Sequence, residues 1–299
     1  MITEQLVTER SIRGLKFVAL RDGRRLSYTE YGAADGSPVL YCHGNPGSRL
    51  DLGLFDENVL KQYGLRMIAP DRPGIGQSDF LPARKIVDWP VDVTELADSL
   101  RIPQFSVFGF SCGGPFAAVS AYKFPERVTK LVLVSSIGRF DFPNTTKGMG
   151  PGLMYFRLGR YFPWLLHMEL RMMGYGLKYD PSKMAEQVKM SLPPADLAAI
   201  NQPGVLEAFL ATQAEFLRQG PQGPALEAGL FMRPWGFPLE AIRVPTYLWH
   251  GQADRNAPVA MGSNLARRIP GCQAIFIPDE GHFSVAENHL AEILDCLAK

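Results

Sequence analysis

The sequence predicts an α/β fold: a mostly parallel sheet of about eight strands flanked by helices, with an all-helical cap inserted late in the chain. Three observations predict it. Short β-branched or aromatic runs alternate with longer amphipathic stretches through the first 138 residues, which is the pattern of a helix-flanked sheet. Several of those runs are almost continuously apolar, as strands buried on both faces must be. From about residue 141 to 240 the strand pattern stops, and Met, Phe, Tyr, Leu and Trp recur at helical intervals with Pro and Gly as punctuation.

Taken in order, "LKFVAL" (15–20) and "RLSYTEYG" (25–32) are joined across Asp22-Gly23, a hairpin signal, and read as an antiparallel pair. "PVLYCHG" (38–44), "LRMIAPD" (65–71), "FSVFGF" (105–110) and "VTKLVLVSS" (128–136) follow as buried strands with room for crossover helices between them. The clearest helices of the insertion are 154–174 and 204–220, the second closing on a Gly suited to a helix end. "VPTYLWHG" (244–251) and "CQAIFIPDEG" (272–281) resume the sheet around a helix at 259–269, and a helix at 284–297 ends the chain. The expected division is core 1–139, cap 140–240 and core 241–299. There is no internal repeat or low-complexity tract.

Composition narrows the function classes. The 299 residues are 46% hydrophobic, enough for a substantial core, and 31 Lys+Arg against 30 Asp+Glu leave a formal charge of +1. Without a basic block there is no electrostatic case for nucleic acid, and a small-molecule substrate is expected instead. "MITEQLVTERSIRG" lacks the basic start and apolar run of a secretory signal, and no run reaches 18 apolar residues. A cytoplasmic protein without a membrane partner, monomeric or homodimeric, is the expectation. Cys42, Cys112, Cys272 and Cys296 stand singly and read as reduced thiols, with no metal-site spacing.

The chemistry centres on Gly109-Phe110-Ser111-Cys112-Gly113, a G-x-S-x-G pattern between a buried strand and a helix. So tight a turn strains the serine backbone, and the residues two before and two after it must be small. Pro115 fits the first turn of the helix, where its missing N–H costs nothing. A serine hydroxyl needs a base within hydrogen-bond reach and a carboxylate to orient that base. His282 in "DEGHFS" and Asp254 in "GQAD" follow the last two strands, so both emerge with Ser111 at the C-terminal edge of a parallel sheet. An acyl-transfer oxyanion needs two backbone N–H donors; Cys112, after the nucleophile, and Asn45, in "HGNPGS" (43–48), are the candidates. Asn45 and Phe110 are also expected at the substrate. Whether the Asn45 side chain binds a substrate oxygen or only holds its loop is open at this stage.

The other histidines have plainer readings: His43 braces the oxyanion loop, His250 is a core residue, and His167 and His289 lie on helices. In "DRPGIGQS" (71–78), Gly74 and Gly76 shape a turn that Asp71 and Arg72 hold. The glycines at 109, 113 and 114 surround a serine and make no dinucleotide fingerprint, so no cofactor is expected.

These motifs resemble the α/β-hydrolase fold family, in the order Ser, Asp, His, in His-Gly-x-Pro-Gly and in "DRPGIGQS". The resemblance covers about 15–138 and 241–299 and treats the cap as the variable insertion. "HGNP" is similar to the oxyanion segment of haloalkane dehalogenases and "HGxP" to that of epoxide hydrolases, but those families use an aspartate nucleophile where Ser111 stands. Proline iminopeptidases usually carry a second glycine where Asn45 stands and a Trp where Cys112 stands. The resemblance therefore implies a cofactor-independent serine hydrolase acting on a carboxylic ester, thioester or lactone of a fairly apolar molecule. Some relatives place the acid at the position of Asp141, which is the reserve candidate. Rival readings are carbon–carbon bond hydrolysis, perhydrolysis or a lyase or cyclase step on the same residues, and a non-catalytic small-molecule receptor.

Overall fold

The alternating apolar runs become eight strands in the computed structural model, which describes residues 14–299: β1 (Lys16–Ala19), β2 (Arg25–Gly32), β3 (Ser37–Cys42), β4 (Leu65–Pro70), β5 (Phe105–Phe110), β6 (Val128–Val134), β7 (Thr246–Gly251) and β8 (Gln273–Ile277). The N-terminal stretch read for a secretory signal falls largely outside the described residues. The strand order is β1-β2-β4-β3-β5-β6-β7-β8. The pairs β1–β2 and β2–β4 are antiparallel, and all others are parallel. All six residues of β5 are buried, the consequence of a central strand covered on both faces.

Every expected strand is present, but three end two or more residues earlier than the apolar pattern suggests. β3 stops at Cys42, β6 at Val134 and β8 at Ile277, because the next residues leave the ladder for other work. The carbonyls of His43 and Gly44 accept from Arg72, and Ser135 turns to φ +48° while its hydroxyl donates to the carbonyl of His282.

Helices α1 (Glu57–Gln62), α2 (Trp89–Ser99) and α3 (Gly114–Lys123) make the crossovers of the first half. Six more, α4 (Gly152–Tyr161), α5 (Pro163–Tyr179), α6 (Pro181–Ser191), α7 (Pro194–Ile200), α8 (Val205–Phe216) and α9 (Gln222–Phe231), lie between β6 and β7, where no described residue forms a strand. Prolines open α5, α6 and α7, where the fixed φ suits the first turn and the missing donor is harmless. Pro163 therefore divides the expected 154–174 helix in two. α10 (Val259–Arg268) joins β7 to β8, and the single C-terminal helix expected at 284–297 is α11 (Ser284–Asn288) and α12 (Leu290–Ala298), broken at His289.

The sheet separates two apolar layers. Trp89, Val93 and Leu96 of α2, Phe116 of α3 and Leu265 of α10 pack on one side. Leu60 of α1, Val285 of α11 and Ile293 and Leu297 of α12 pack on the other. Each such side chain contributes about 1.5–3 kcal/mol when fully buried. No described helix is long and apolar enough to cross a membrane.

The helices between β6 and β7 attach to the sheet through buried charge. Arg49 pairs with Asp71 at 2.7 Å and with Glu215 of α8 at 2.5 Å. Arg72 and Arg84 both pair with Glu227 of α9, at 2.6 and 2.7 Å. Removing one member of such a group strands the others without solvent, which makes these attachments costly to break.

Candidate active site

Ser111 follows β5 directly and takes φ +53°, a conformation that L-residues seldom adopt. The expected need for small neighbours is met literally. A Cβ at Gly109 would lie 2.8 Å from the Cβ of Ala117, and one at Gly113 would overlap the carbonyl of Cys42. α3 then begins at Gly114 with Pro115 in its first turn.

Ser111, Asp254 and His282 are all buried and meet one another. The Ser111 hydroxyl lies 2.9 Å from His282 Nε2, and His282 Nδ1–H donates to Asp254 Oδ2 at 2.7 Å. Asp254 is held by its other oxygen, which accepts the N–H groups of Asn256 and Ala257 at 2.8 Å each. Its carboxylate thus shapes the turn and orients the imidazole together. Burial alone would push His282 down, but the Asp254 carboxylate, aided by Asp196, holds it above its ordinary value. The hydroxyl faces an imidazole nitrogen free to accept its proton, and the carboxylate faces the nitrogen that stays protonated, which is the arrangement nucleophilic activation needs.

The loop after β3 is braced on every side. His43 Nδ1–H donates to the Gly44 carbonyl at 2.9 Å, and its Nε2 accepts the Arg72 N–H at 3.2 Å. Burial and the Arg72 charge push this imidazole well below its ordinary value, so it stays neutral. Asp51 accepts the N–H groups of Gly44 and Ser48 at 2.9 and 3.0 Å. The Asn45 carboxamide is engaged at both ends, accepting from the Tyr155 hydroxyl at 2.7 Å and donating to Glu227 at 3.1 Å. The Asn45 side chain thus holds its loop against α4 and α9.

A cavity of about 840 Å³ opens over Ser111 and His282. Asn45 and Cys112 line it, with Tyr155, Phe156, Met173 and Met184 from the inserted helices. Phe110, expected at the substrate, is not among the residues lining this cavity. As the last residue of β5 it packs its ring 5.3 Å from that of His282 and lines a smaller apolar cavity with Tyr41, Phe55 and Phe283. Asp141, the reserve acid, is occupied elsewhere, accepting from Arg139 at 2.9 and 2.5 Å at the surface. His250 is a core residue, its Nε2–H donating to the Ala257 carbonyl at 2.7 Å. The Cys112 thiol is raised far above its ordinary range by burial, and all four cysteines are free.

Three residues of the inserted helices escape sequence reading. Tyr155 and Glu227 hold Asn45, and Asp196 of α7 accepts the N–H groups of His282, Phe283 and Ser284 at 3.0, 2.8 and 3.0 Å. An acid inside an apolar helix, such as Glu227 in "QGPALEAGLF", is the one local signal; its partner cannot be guessed from it. Burial would raise the Glu227 carboxyl, but Arg72 and Arg84 hold it far below the usual range.

Comparison with known proteins agrees with the fold. The chain is 28% identical over 284 residues to a 2-hydroxymuconate semialdehyde hydrolase of Pseudomonas putida, covering 90% of this chain and 88% of that protein. Its fold matches a thermophilic esterase from Thermogutta terrifontis with TM-score 0.65 at 24% identity, covering 93% of this chain and 95% of the other. It also matches an enol-lactonase from Burkholderia xenovorans with TM-score 0.64 at 20% identity, over 93% and 96% of the two chains. With the α/β hydrolase fold model matching residues 37–289, most of its length, the chain belongs to the α/β hydrolase family.

Proposed function

We propose that this α/β hydrolase cleaves a carboxylic ester, thioester or lactone of a fairly apolar small molecule through an acyl-enzyme. The observation that carries this reading is the unbroken relay from Ser111 Oγ through His282 to Asp254 beneath a large cavity with Met and aromatic walls. Ser111 Oγ attacks the carbonyl carbon as its proton passes to His282 Nε2. Asp254 holds the imidazole in place and stabilises the imidazolium. The backbone N–H groups of Asn45 and Cys112 receive the oxyanion, the second at the N-terminus of a helical segment whose dipole favours negative charge. His282 then protonates the departing alcohol or thiol. Water, deprotonated by the same nitrogen, releases the acid and restores the serine.

The test is intact-mass analysis after treatment with a fluorophosphonate. One adduct on the wild-type protein, absent from Ser111→Ala and His282→Ala, is expected, followed by turnover in ester, thioester and lactone libraries. A folded wild-type protein that takes no adduct and turns nothing over would remove this reading.

A second reading on the same residues is hydrolysis of a carbon–carbon bond beside a ketone. Two observations favour it: the relatives matched over most of their length and named 2-hydroxymuconate semialdehyde hydrolase and 2-hydroxy-6-oxononadienedioate/2-hydroxy-6-oxononatrienedioate hydrolase, and Arg255, the one Arg or Lys among the residues lining the cavity. Product analysis with an ester and a vinylogous diketone of equal size separates the two.

A further inference from the structure

Ten of the thirteen exposed large hydrophobic side chains among the described residues fall between Met154 and Met190. Five of them form one line. Leu165, Met168, Met172, Tyr175 and Tyr179 are spaced 3, 4, 3 and 4 residues apart along α5, all exposed, with Met172 at 73%. That is the seam spacing by which one helix packs along another. The opposite face of α5 is already used, since Leu166, Leu170 and Leu177 are buried.

We infer that this face is the interface of a symmetric homodimer, in which α5 of one copy packs antiparallel on α5 of a second copy. Area is the first argument. At about 150–250 Å² for a large aromatic side chain, the line with the neighbouring Tyr161 and Trp164 presents roughly 800 Å² of apolar surface. That exceeds the largest patch of a typical monomer, about 300–600 Å², and equals the share of each partner in a standard interface, about 800 Å². Self-complementarity is the second. A two-fold axis at the level of Leu170 sets Met168 opposite Met172 and Leu165 opposite Tyr175, so that the centre of the seam meets apolar residues, as an isologous contact requires, and Tyr179 falls toward the partner's α4–α5 junction, where Tyr161 and Phe162 are exposed.

Charge gives the proposal a sign. At about 100° per residue, Arg171 and Lys178 lie on one flank of the seam and Glu169 on the other. In an antiparallel two-fold pair like flanks meet, so the basic flanks repel weakly across the solvated rim. Added salt should therefore tighten the dimer. An anionic lipid surface, the other occupant such a face could take, would be held by those same cations and released by salt.

The chain carries its own reporter. Trp164 is 61% exposed, while Trp89, Trp235 and Trp249 are at 4% or less. The experiment is sedimentation of the full chain across a concentration series at low and high salt, with Trp emission recorded in parallel. A Met168→Glu, Met172→Glu double variant, whose positions are exposed and line no part of the cavity, serves as control. A twofold larger mass at micromolar protein, a blue shift of emission on association, tightening by salt, and a monomeric double variant with wild-type catalytic rate are expected. A wild-type monomer at about 100 μM, a dimer that survives the double substitution, or an emission shift in dilute protein produced only by anionic vesicles and reversed by salt would each overturn the proposal. None of these outcomes depends on which bond the enzyme cleaves.

Discussion

The carboxylate of Asp196 accepts the backbone N–H of His282 at 3.0 Å, so a side chain from the helical insertion fixes the backbone of the histidine that meets Ser111. The next two N–H groups, of Phe283 and Ser284, also donate to it, which makes Asp196 the acceptor for the start of α11. The cavity over Ser111 and the position of His282 are therefore set by the same helices.

Asp196→Asn should test this coupling. The amide can accept through one oxygen only and turns an N–H toward one of the three donors, at a cost of about 1.5–3 kcal/mol for a hydrogen bond to a charged acceptor. A fall of roughly tenfold or more in kcat is expected, with a smaller change in KM. Asp196 also helps to hold the His282 proton, so the acid limb of the pH profile should move to lower pH. A variant with wild-type kcat and profile would show that Asp196 only fills space.

His282 sets the pH dependence. It must be neutral to accept the serine proton, and its value lies above the ordinary 6.5 because Asp254 outweighs burial. Activity should rise with pH through that raised value. Stability runs the other way. A raised folded value contributes stability that is complete below about 6.5, the unfolded value, and is lost as pH rises through the folded one. In the inactive Ser111→Ala background, Tm should fall across that window, and the fall should vanish when His282→Ala is added. Asp254→Asn should cost several orders of magnitude in kcat, whereas Asp141→Asn at the surface should leave it unchanged.

Tyr155→Phe and Glu227→Gln probe the other clamp. Losing the Tyr155 hydroxyl frees one end of Asn45, and a several-fold loss of kcat with little loss of fold is expected. Glu227→Gln leaves Arg72 and Arg84 buried without their counter-ion, and about 3–5 kcal/mol of stability should go with it. Urea denaturation of both variants beside steady-state kinetics distinguishes a loop effect from a folding effect; equal stability of the two would contradict the ion-pair account.

Backbone strain at Ser111 gives a prediction of opposite sign to the usual one. A non-glycine residue at φ +53° costs about 1–2 kcal/mol, so Ser111→Gly should be more stable than Ser111→Ala by about 1 kcal/mol even though glycine loosens the unfolded chain. Gly113→Ala should be strongly destabilising, because its Cβ meets the Cys42 carbonyl and no side chain can yield there. Calorimetry of the three variants gives the ranking.

By itself, the sequence determined the eight strands, the strained serine turn and the three residues of the relay. Each depends on local chemistry: apolar runs mark strands, glycines mark the turn, and a parallel sheet sends every strand's C-terminal end to one edge. It also marked His43, Asp71 and Arg72 as bracing, since polar residues beside a glycine turn commonly hold it. Only the tertiary structure decided that Asn45 faces Tyr155 and Glu227, that Phe110 stands behind His282 instead of lining the cavity, and that Asp196 holds the histidine loop. Residues 45 and 227, or 196 and 282, share no period or spacing that a pattern could detect. Their pairing follows from how the inserted helices settle on the sheet edge, where each buried carboxylate must find the particular donors that repay its desolvation.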